Sequence, residues 1–330
     1  MTQNMTQNSI SEIVNLGSDN PAEVALVIDV SGSMKGDKIL TTKAAASKFI
    51  KLMRVNKDSL GICSFNTLGK VEWGADQKVN LLANGGVQAS AIGAVHGLAA
   101  GGGTDMHAGL DRASKMFTGF DASNKAVILL SDGQDSSTEA EKKLSQELNA
   151  AGKEVYTIAI GKDADHELLK SLAGDDDRYN AVPDAFTMNE VFNKIIGQIG
   201  IADVLLNKVE TIPSDQFIGK VYPQAQADNT VPEGKSEVVV AVAWDKLEQK
   251  FAGVNTLMLL KENQLSFGIG KMEFGSLTPP EKSDLLILHQ EDGVLVVKIS
   301  NAKPGDTYGV EIEQSFNTAE VVRFSVGVFA

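Results

Sequence analysis

The sequence predicts a doubly wound α/β domain followed by an all-β region. From Glu23 to about Ile199, apolar strand-like runs alternate with helix-like segments, a pattern typical of a mostly parallel sheet flanked by helices, as in Rossmann-like folds. After Gly200 the helical periodicity ends and short β-rich runs separated by turn residues follow, which indicates a β-sandwich. The predicted divisions are a polar and flexible N-terminal segment over residues 1–20, an α/β domain over 21–200 and a β-sandwich domain over 201–330.

The strands and helices of the α/β domain follow from the apolar pattern. The run from Val24 to Val30 is almost continuously apolar, as expected for a strand covered on both faces. The other predicted strands are 59–65, 70–73, 125–130, 154–160 and 179–182, of which the first two form a hairpin. The predicted helices are 37–53, 89–99, 106–117, 138–150, 166–172 and 184–199. In such a sheet the ligand site lies beyond the carboxyl ends of the strands.

Eight runs rich in β-branched residues predict the strands of the second domain. They are 204–209, 217–221, 236–244, 256–261, 285–289, 293–299, 308–314 and 321–329. Part of this region, from Glu233 to Trp244, loosely resembles β-sandwich modules appended to bacterial secreted proteases, which often act as spacers or binding surfaces. We expect Trp244, like Trp73 of the first domain, to lie in the core.

Charge and composition exclude several classes of partner. The formal net charge is −13, which disfavours phosphate backbones and anionic lipid, so we expect neither nucleic-acid binding nor membrane insertion. The single cysteine, Cys63, excludes an internal disulfide framework. The polar N-terminus lacks the apolar core of a secretory signal, and no stretch is apolar enough to span a bilayer. We therefore expect a cytoplasmic protein, with non-classical export as the alternative.

The strongest motif is a set of oxygen-bearing side chains at the end of the first strand. Asp29, Ser31 and Ser33 stand at alternate positions with Gly32 between the two serines, so the three side chains can converge where the chain turns. Carboxylate and hydroxyl oxygens are hard donors, which suit Mg²⁺, Ca²⁺ or Mn²⁺ rather than zinc or copper. Alone the motif is weak evidence, because Ser and Asp are also common helix N-caps.

Two further loops strengthen this interpretation. Thr104 follows three consecutive glycines and precedes a predicted helix, and Asp132 follows the buried strand that ends in Leu130 and Ser131. Three loops at one edge of a parallel sheet can face one another, and each offers an oxygen ligand.

With these residues the sequence resembles a von Willebrand factor A domain with a complete metal-ion-dependent adhesion site. Asp29, Ser31 and Ser33 match the Asp-x-Ser-x-Ser element of that site, Thr104 its threonine and Asp132 its second aspartate. Met34, the glycine-rich loop and the Ser-Asp-Gly turn resemble bacterial members of the family. The resemblance extends over about residues 20–199.

The resemblance implies a divalent cation, Mg²⁺ first with Ca²⁺ or Mn²⁺ as alternatives. The hydroxyls of Ser31, Ser33 and Thr104 would bind it, and Asp29 and Asp132 would contribute charge directly or through water. One coordination position would stay open for a carboxylate of a partner protein. Hydroxyls are neutral donors, so an ion bound largely by them remains electrophilic enough to accept a further anionic oxygen.

Four residues beside the motif are secondary candidates. Asp105, His107, Gln134 and Asp135 could orient the metal ligands, although we expect solvated loop or helix-start positions for each. The acidic run Asp175–Asp177 is interpreted as a solvated turn rather than a calcium site. Neither a Gly-x-Gly-x-x-Gly motif nor a P-loop follows the first strand, and His-Glu-x-x-His is absent, which argues against nucleotide binding and zinc proteolysis.

Three functions remain open at this point. The favoured one is a non-enzymatic module for adhesion or complex assembly, in which the metal coordinates an acidic residue of a partner. The alternative is a regulatory subunit that works with an AAA-type ATPase, as in chelatase-like or remodelling complexes. A metal-assisted hydrolase has the least support, because only His107 and Asp135 could assist catalysis; we therefore expect no enzymatic activity.

Overall fold

The computed structural model describes most of the chain between residues 19 and 330. The described ranges are 19–117, 124–133, 139–182, 187–213, 218–221, 230–244, 250–254, 264–273, 276–291, 293–314 and 322–330. Of the sequence predictions, the N-terminal segment up to residue 18, the secondary candidates Gln134 and Asp135, and the strand over 256–261 lie outside these ranges.

The first half of the chain forms a sheet of seven strands, one more than the six that the sequence predicts. The strands are β1 (Ala22–Asp29), β2 (Ser59–Phe65), β3 (Gly69–Trp73), β4 (Asn80–Leu81), β5 (Asn124–Ser131), β6 (Lys153–Ile160) and β7 (Tyr179–Val182). Their order across the sheet is β3-β2-β1-β5-β6-β7, with β4 also paired to β2. All pairs are parallel except those that β2 makes with β3 and β4. The fold-class prediction is therefore confirmed.

Six helices cover the two faces of this sheet. They are α1 (Asp37–Leu52), α2 (Gly85–His96), α3 (Met106–Ser114), α4 (Glu139–Ala150), α5 (His166–Ala173) and α6 (Thr187–Gln198). Apolar side chains of α1, α2 and α6 share one hydrophobic cluster with the sheet, and those of α3, α4 and α5 share another on the opposite face. None of the described helices is both long and apolar enough to span a membrane.

The largest error in the predicted helix bounds concerns α2, which begins at Gly85 rather than at residue 89. Asn84 caps it, since its side chain accepts a hydrogen bond from the backbone N–H of Val87 over 3.0 Å. The two glycines that follow Asn84 are poor helix formers, and propensity alone therefore places the start too late.

The second half of the chain forms two sheets of five strands each. Its strands are β8 (Val204–Ile212), β9 (Ile218–Val221), β10 (Glu237–Trp244), β11 (Lys250–Val254), β12 (Gln264–Glu273), β13 (Ser276–Thr278), β14 (Leu285–Glu291), β15 (Val294–Ser300), β16 (Tyr308–Gln314) and β17 (Val322–Phe329). One sheet has the order β14-β15-β10-β17-β8, and the other has the order β11-β12-β16-β9 with β13 beside β12. A single hydrophobic cluster contains buried residues of both sheets.

Strand β12 was missed by the sequence analysis. Its core-facing residues Leu265, Phe267 and Ile269 alternate with small residues, among them Gly268 and Gly270. Glycine inside a strand lowers strand propensity. The sequence of β12 therefore does not read as a strand, although its buried residues alternate as those of a strand do.

The two halves of the chain pack through apolar residues of β10. Val238, Val240 and Val242 belong to the core between the two β-sheets, whereas Val239 and Ala241 join the cluster that contains α1 and α6. Because alternate residues of a strand point to opposite faces, β10 is buried on both sides. This explains why its sequence is almost continuously apolar.

One polar contact joins α6 to β8 across this junction, and helix α1 contains a buried amine without a partner among the described residues. Asn193 of α6 donates through its side-chain amide to the Asn207 side chain of β8 over 3.0 Å. Helix α1 contacts α2, α6 and β15, and its Lys48 is fully buried with no hydrogen-bond partner for Nζ in the described part of the chain. Burial lowers the pKa of the Lys48 amine to about 7.

Replacing Lys48 by Met is expected to stabilise the protein by about 2 kcal/mol at pH 7, because an ammonium without a partner no longer has to be buried. The folded-state pKa lies below the unfolded value of 10.5. The penalty is therefore complete below about pH 7 and decreases as pH rises toward 10.5. The free energy of unfolding is measured with urea at pH 7 and at pH 9. The increase caused by Lys48→Met should be smaller at pH 9 than at pH 7. The matched control is Lys143→Met, at a side chain that is 80% exposed. An equal gain at both pH values would contradict this assignment.

Candidate metal centre

The predicted ligands lie at the carboxyl edge of two neighbouring parallel strands. Asp29 is the last residue of β1, and Asp132 directly follows Ser131, the last residue of β5. The register pairs Ile28 with Leu130, so Asp29 and Ser131 end the two strands side by side. This is the position that the sequence analysis predicted for the site.

The segment after β1 folds back on itself to bring its oxygens together. The backbone N–H of Ser31 donates to Asp29 Oδ1 over 2.7 Å, and the hydroxyls of Ser31 and Ser33 lie 3.0 Å apart. A short 3-10 turn begins at Gly32 and ends at the buried Met34. Met34 therefore anchors the turn in the core while the serine hydroxyls remain on the site side.

Two backbone hydrogen bonds attach the glycine-rich loop to this turn. Gly101 N–H donates to the carbonyl of Val30 over 2.7 Å, and Gly32 N–H donates to the carbonyl of Gly102 over 3.0 Å. A Cβ atom at Gly32 would lie 3.2 Å from that Gly102 carbonyl, so glycine allows the two loops to approach. Thr104 directly follows this loop in the sequence. Within the described residues, no side-chain hydrogen bond joins it to the other four candidates.

Ser131 connects the two strand ends and was not among the predicted site residues. Its hydroxyl donates to Asp29 Oδ2 over 2.6 Å and accepts from the backbone N–H of Gly133 over 2.9 Å. Both carboxylate oxygens of Asp29 therefore accept a hydrogen bond. The sequence contained a signal for Ser131, because it is a polar residue that ends an otherwise apolar strand.

Asp132 has one paired and one unpaired oxygen. Lys38 Nζ lies 3.1 Å from Asp132 Oδ2 and 3.3 Å from Asp163 Oδ1. Asp132 Oδ1 is buried and lacks a hydrogen-bond partner among the described residues. Buried polar atoms are nearly always satisfied, and an orphaned carboxylate oxygen at this place fits a bound cation or a water of its coordination shell.

Lys38 and Asp163 were also missed by the sequence analysis. Asp163 follows the end of β6, and the rule that identified Asp132, a carboxylate after a parallel strand, would have found it. The pKa of Lys38 is raised: burial lowers it, but the hydrogen bond and charge of Asp132, and then those of Asp163, outweigh that effect.

Burial divides the candidates into an inner and an outer group. Asp29, Ser31 and Asp132 are buried, Thr104 is half-buried and Ser33 is exposed. Burial raises the pKa of Asp29, opposed by its hydrogen bonds from Ser131 and Ser31, and the nearby charge of Asp132 raises it further. A divalent cation bound between two buried carboxylates would offset the repulsion between their negative charges.

The secondary candidates beside the site have structural explanations where they are described. Asp105 is the N-cap of α3, since its side chain accepts from the backbone N–H of Ala108 over 2.9 Å. His107 is the second residue of the same helix. Asp105 is thus the helix-start residue that we expected, whereas Gln134 and Asp135 lie outside the described residues.

The donor set has the chemistry of a hard-cation site that depends on hydroxyls. In the described ranges no group of three or more His, Cys, Asp or Glu residues is placed to hold a metal ion. The set contains only two carboxylates, Asp29 and Asp132, beside three hydroxyls, and hydroxyl and carboxylate oxygens suit Mg²⁺, Ca²⁺ and Mn²⁺. The orphaned Asp132 oxygen and the paired serine hydroxyls therefore fit such an ion.

The von Willebrand factor type A domain model matches residues 23–194, which is more than half of the chain. The chain belongs to this family. The matched von Willebrand A (VWA) region contains all but the first residue of β1, the strands β2 to β7 and the first eight of the twelve residues of α6. All five predicted ligands, Asp29, Ser31, Ser33, Thr104 and Asp132, fall within it.

Three solved structures are similar to this chain at low sequence identity. The pilus adhesin SpaC from Lactobacillus rhamnosus GG is 14% identical with a TM-score of 0.50, covering 94% of this chain and 40% of that chain. A von Willebrand factor type A structure from Catenulispora acidiphila is 16% identical with a TM-score of 0.49, covering 91% and 59%. Proximal thread matrix protein 1 from the mussel byssus, with a zinc-occupied MIDAS motif, is 19% identical with a TM-score of 0.46, covering 53% and 46%. This chain spans only about half the length of these structures.

Other singled-out residues have structural roles. Cys63 is buried, and burial, followed by the charge of Glu72, raises the pKa of its thiol to about 12, so it remains protonated and unreactive. Trp244 is in the core as predicted, whereas Trp73 is only half-buried. In the acidic run, Asp176 pairs with Lys170 over 3.0 Å, as expected of a surface turn.

Proposed function

We propose that this VWA protein is a non-enzymatic module for adhesion or complex assembly, whose metal ion binds an acidic residue of a partner protein. Ser31, Ser33 and Thr104 would hold the ion through their hydroxyls, with Asp29 and Asp132 contributing charge directly or through water. We propose Mg²⁺ as the ion, with Ca²⁺ or Mn²⁺ as alternatives. When bound, the ion supplies a Lewis-acidic position that accepts one carboxylate oxygen from the partner.

The observation that carries this proposal is the buried and unpaired Asp132 Oδ1. It lies at the same sheet edge as Ser31 and Ser33, whose hydroxyls are 3.0 Å apart. The protein provides no donor for this oxygen among the described residues, and leaving a buried carboxylate oxygen unsatisfied costs about 1–3 kcal/mol or more. A cation removes that penalty, and the exposed Ser33 gives a partner access to the ion.

Binding without catalysis is proposed because the described site lacks a general base. Both oxygens of Asp29 accept hydrogen bonds from Ser31 and Ser131. Asp132 is paired with Lys38 through Oδ2, and its remaining oxygen is the one assigned above to the cation. A metal-assisted hydrolase needs a base that can reach a metal-bound water. His107 lies in α3, and no contact among the described residues joins it to Ser31 or Ser33.

The test is a pull-down with the full chain as bait, in buffers that contain either MgCl₂ or EDTA. Partners captured in Mg²⁺ should be lost in EDTA and lost with Asp132→Ala, because both changes remove the coordination site. Replacing individual Asp and Glu residues of the captured protein should then identify one carboxylate on which binding depends.

The matched control is Asp37→Asn, at an exposed residue in the first turn of α1, which should capture the same partners as the unchanged chain. Capture that persists in EDTA and with Asp132→Ala would refute the proposal. If the captured partner is an AAA-type ATPase and capture depends on nucleotide, the regulatory-subunit alternative replaces adhesion as the context for the same site.

A further inference from the structure

Lys38 is the residue that this structure adds to the metal centre. It lies in the first turn of α1, after the loop of Ser31 and Ser33, and its side chain extends to the ends of β5 and β6. There it bridges Asp132, which is buried, and Asp163, which is largely exposed. One ammonium group thus joins α1 to the loops that follow β5 and β6.

The two carboxylate oxygens of Asp132 differ in their hydrogen-bond partners. Oδ2 accepts from Lys38 Nζ over 3.1 Å, whereas Oδ1 has no partner in the described part of the chain. An ion pair through one oxygen fixes the orientation of the carboxylate, so that the other oxygen remains available to a second cation. The same ammonium also pairs with the exposed Asp163 over 3.3 Å.

We propose that Lys38 is a built-in counter-cation of the metal centre, which positions Asp132 in the metal-free protein and weakens the affinity for the divalent ion. This inference rests on the proposed metal site and adds a residue that controls its strength. A lysine and a divalent cation that share one carboxylate repel each other, because both are positive and the intervening groups are buried. Because the protein binds the divalent ion more weakly, the ion is more electrophilic toward a carboxylate of a partner.

Two opposing effects of Lys38 make the proposal testable. Without the ammonium, Asp132 becomes a buried carboxylate with no cation, which destabilises the metal-free fold. The same change removes the repulsion of the incoming ion, which favours metal binding. A residue with a merely structural role would shift both quantities in the unfavourable direction, so the sign of the affinity change distinguishes the two roles.

The experiment compares the unchanged chain with Lys38→Met and Lys38→Arg by titration calorimetry with MgCl₂ and by thermal unfolding in EDTA. Lys38→Met should bind Mg²⁺ about tenfold more tightly, since one like charge is removed from the site, and its metal-free form should unfold about 3 °C or more below the unchanged chain. Lys38→Arg should restore both values, because it keeps the charge. Lys38→Gln replaces Lys38→Met if the latter does not fold.

The control is Lys162→Met, at an exposed lysine next to Asp163, which should change the affinity by less than about twofold because exposed charges are screened. Mg²⁺ affinity that falls or stays constant with Lys38→Met would overturn the inference while the metal site stands. If the unchanged chain binds no divalent ion at all, the proposed function falls, and this inference falls with it.

Discussion

Replacing Asp58 by Ala should lower the free energy of unfolding by about 3–5 kcal/mol, the cost of leaving a buried charge without its partner. Arg54 and Asp58 are both fully buried and form a two-point ion pair, with Arg54 Nη2 2.6 Å from Asp58 Oδ1 and Arg54 Nε 2.9 Å from Oδ2. Asp58 also accepts from the backbone N–H groups of Arg54 and Ala22, over 2.7 and 2.9 Å. This one side chain therefore connects the end of α1 to the start of β1.

The effect is measured by urea unfolding at neutral pH, with Asp111→Ala as the matched control. Asp111 also forms an ion pair at a separation of four residues, with Lys115 over 2.6 Å, but on the surface, where such pairs contribute about 0.2–1 kcal/mol. The double variant Arg54→Met with Asp58→Leu should recover part of the loss, since it removes both charges. If Asp58→Ala lowers the free energy of unfolding by less than about 1 kcal/mol, the Arg54–Asp58 pair does not stabilise the connection between α1 and β1.

Asp29→Asn is expected to weaken divalent-cation affinity by about 100-fold or more, because it removes the charge of one of the two buried carboxylates among the described candidate ligands. The amide keeps the shape of the carboxylate and an oxygen that can accept from Ser31 N–H, so the fold should persist. The affinities for Mg²⁺ are compared by titration calorimetry, and circular dichroism checks that the variant is folded.

The matched control for this change is Asp37→Asn, which removes the same charge from an exposed position eight residues later. Its affinity should stay within about twofold of the unchanged chain, because exposed charges beyond the site are screened by salt. Equal affinities for Asp29→Asn and the unchanged chain would mean that Asp29 does not belong to a metal centre.

The sequence predicted the part of the site that follows from strand ends. Asp29 and Asp132 end or follow buried apolar runs, and parallel strands bring such positions to one edge. Ser131 and Asp163 obey the same rule but were overlooked, because a single polar residue after a strand is common. Lys38 could not be found in this way, since its contacts join α1 to loops about 94 and 125 residues away in sequence.

The all-β region was harder to predict because its patterns are weaker. Strand β10 is apolar on both faces because residues of one face join the hydrophobic cluster that also contains α1 and α6. Periodicity within the strand cannot reveal this. Strand β12 alternates as a strand should, but Gly268 and Gly270 reduce its propensity. Tertiary contacts, rather than local preference, therefore define these strands.

The most direct test of the metal centre is a crystal structure of the protein with MnCl₂, in which anomalous scattering identifies the ion. We expect one anomalous peak at the carboxyl edge of β1 and β5, within about 2.0–2.6 Å of the Ser31, Ser33 and Thr104 hydroxyls, with Asp29 and Asp132 beside it. A crystal grown in excess MnCl₂ that shows no anomalous peak at this edge would contradict the proposed metal centre.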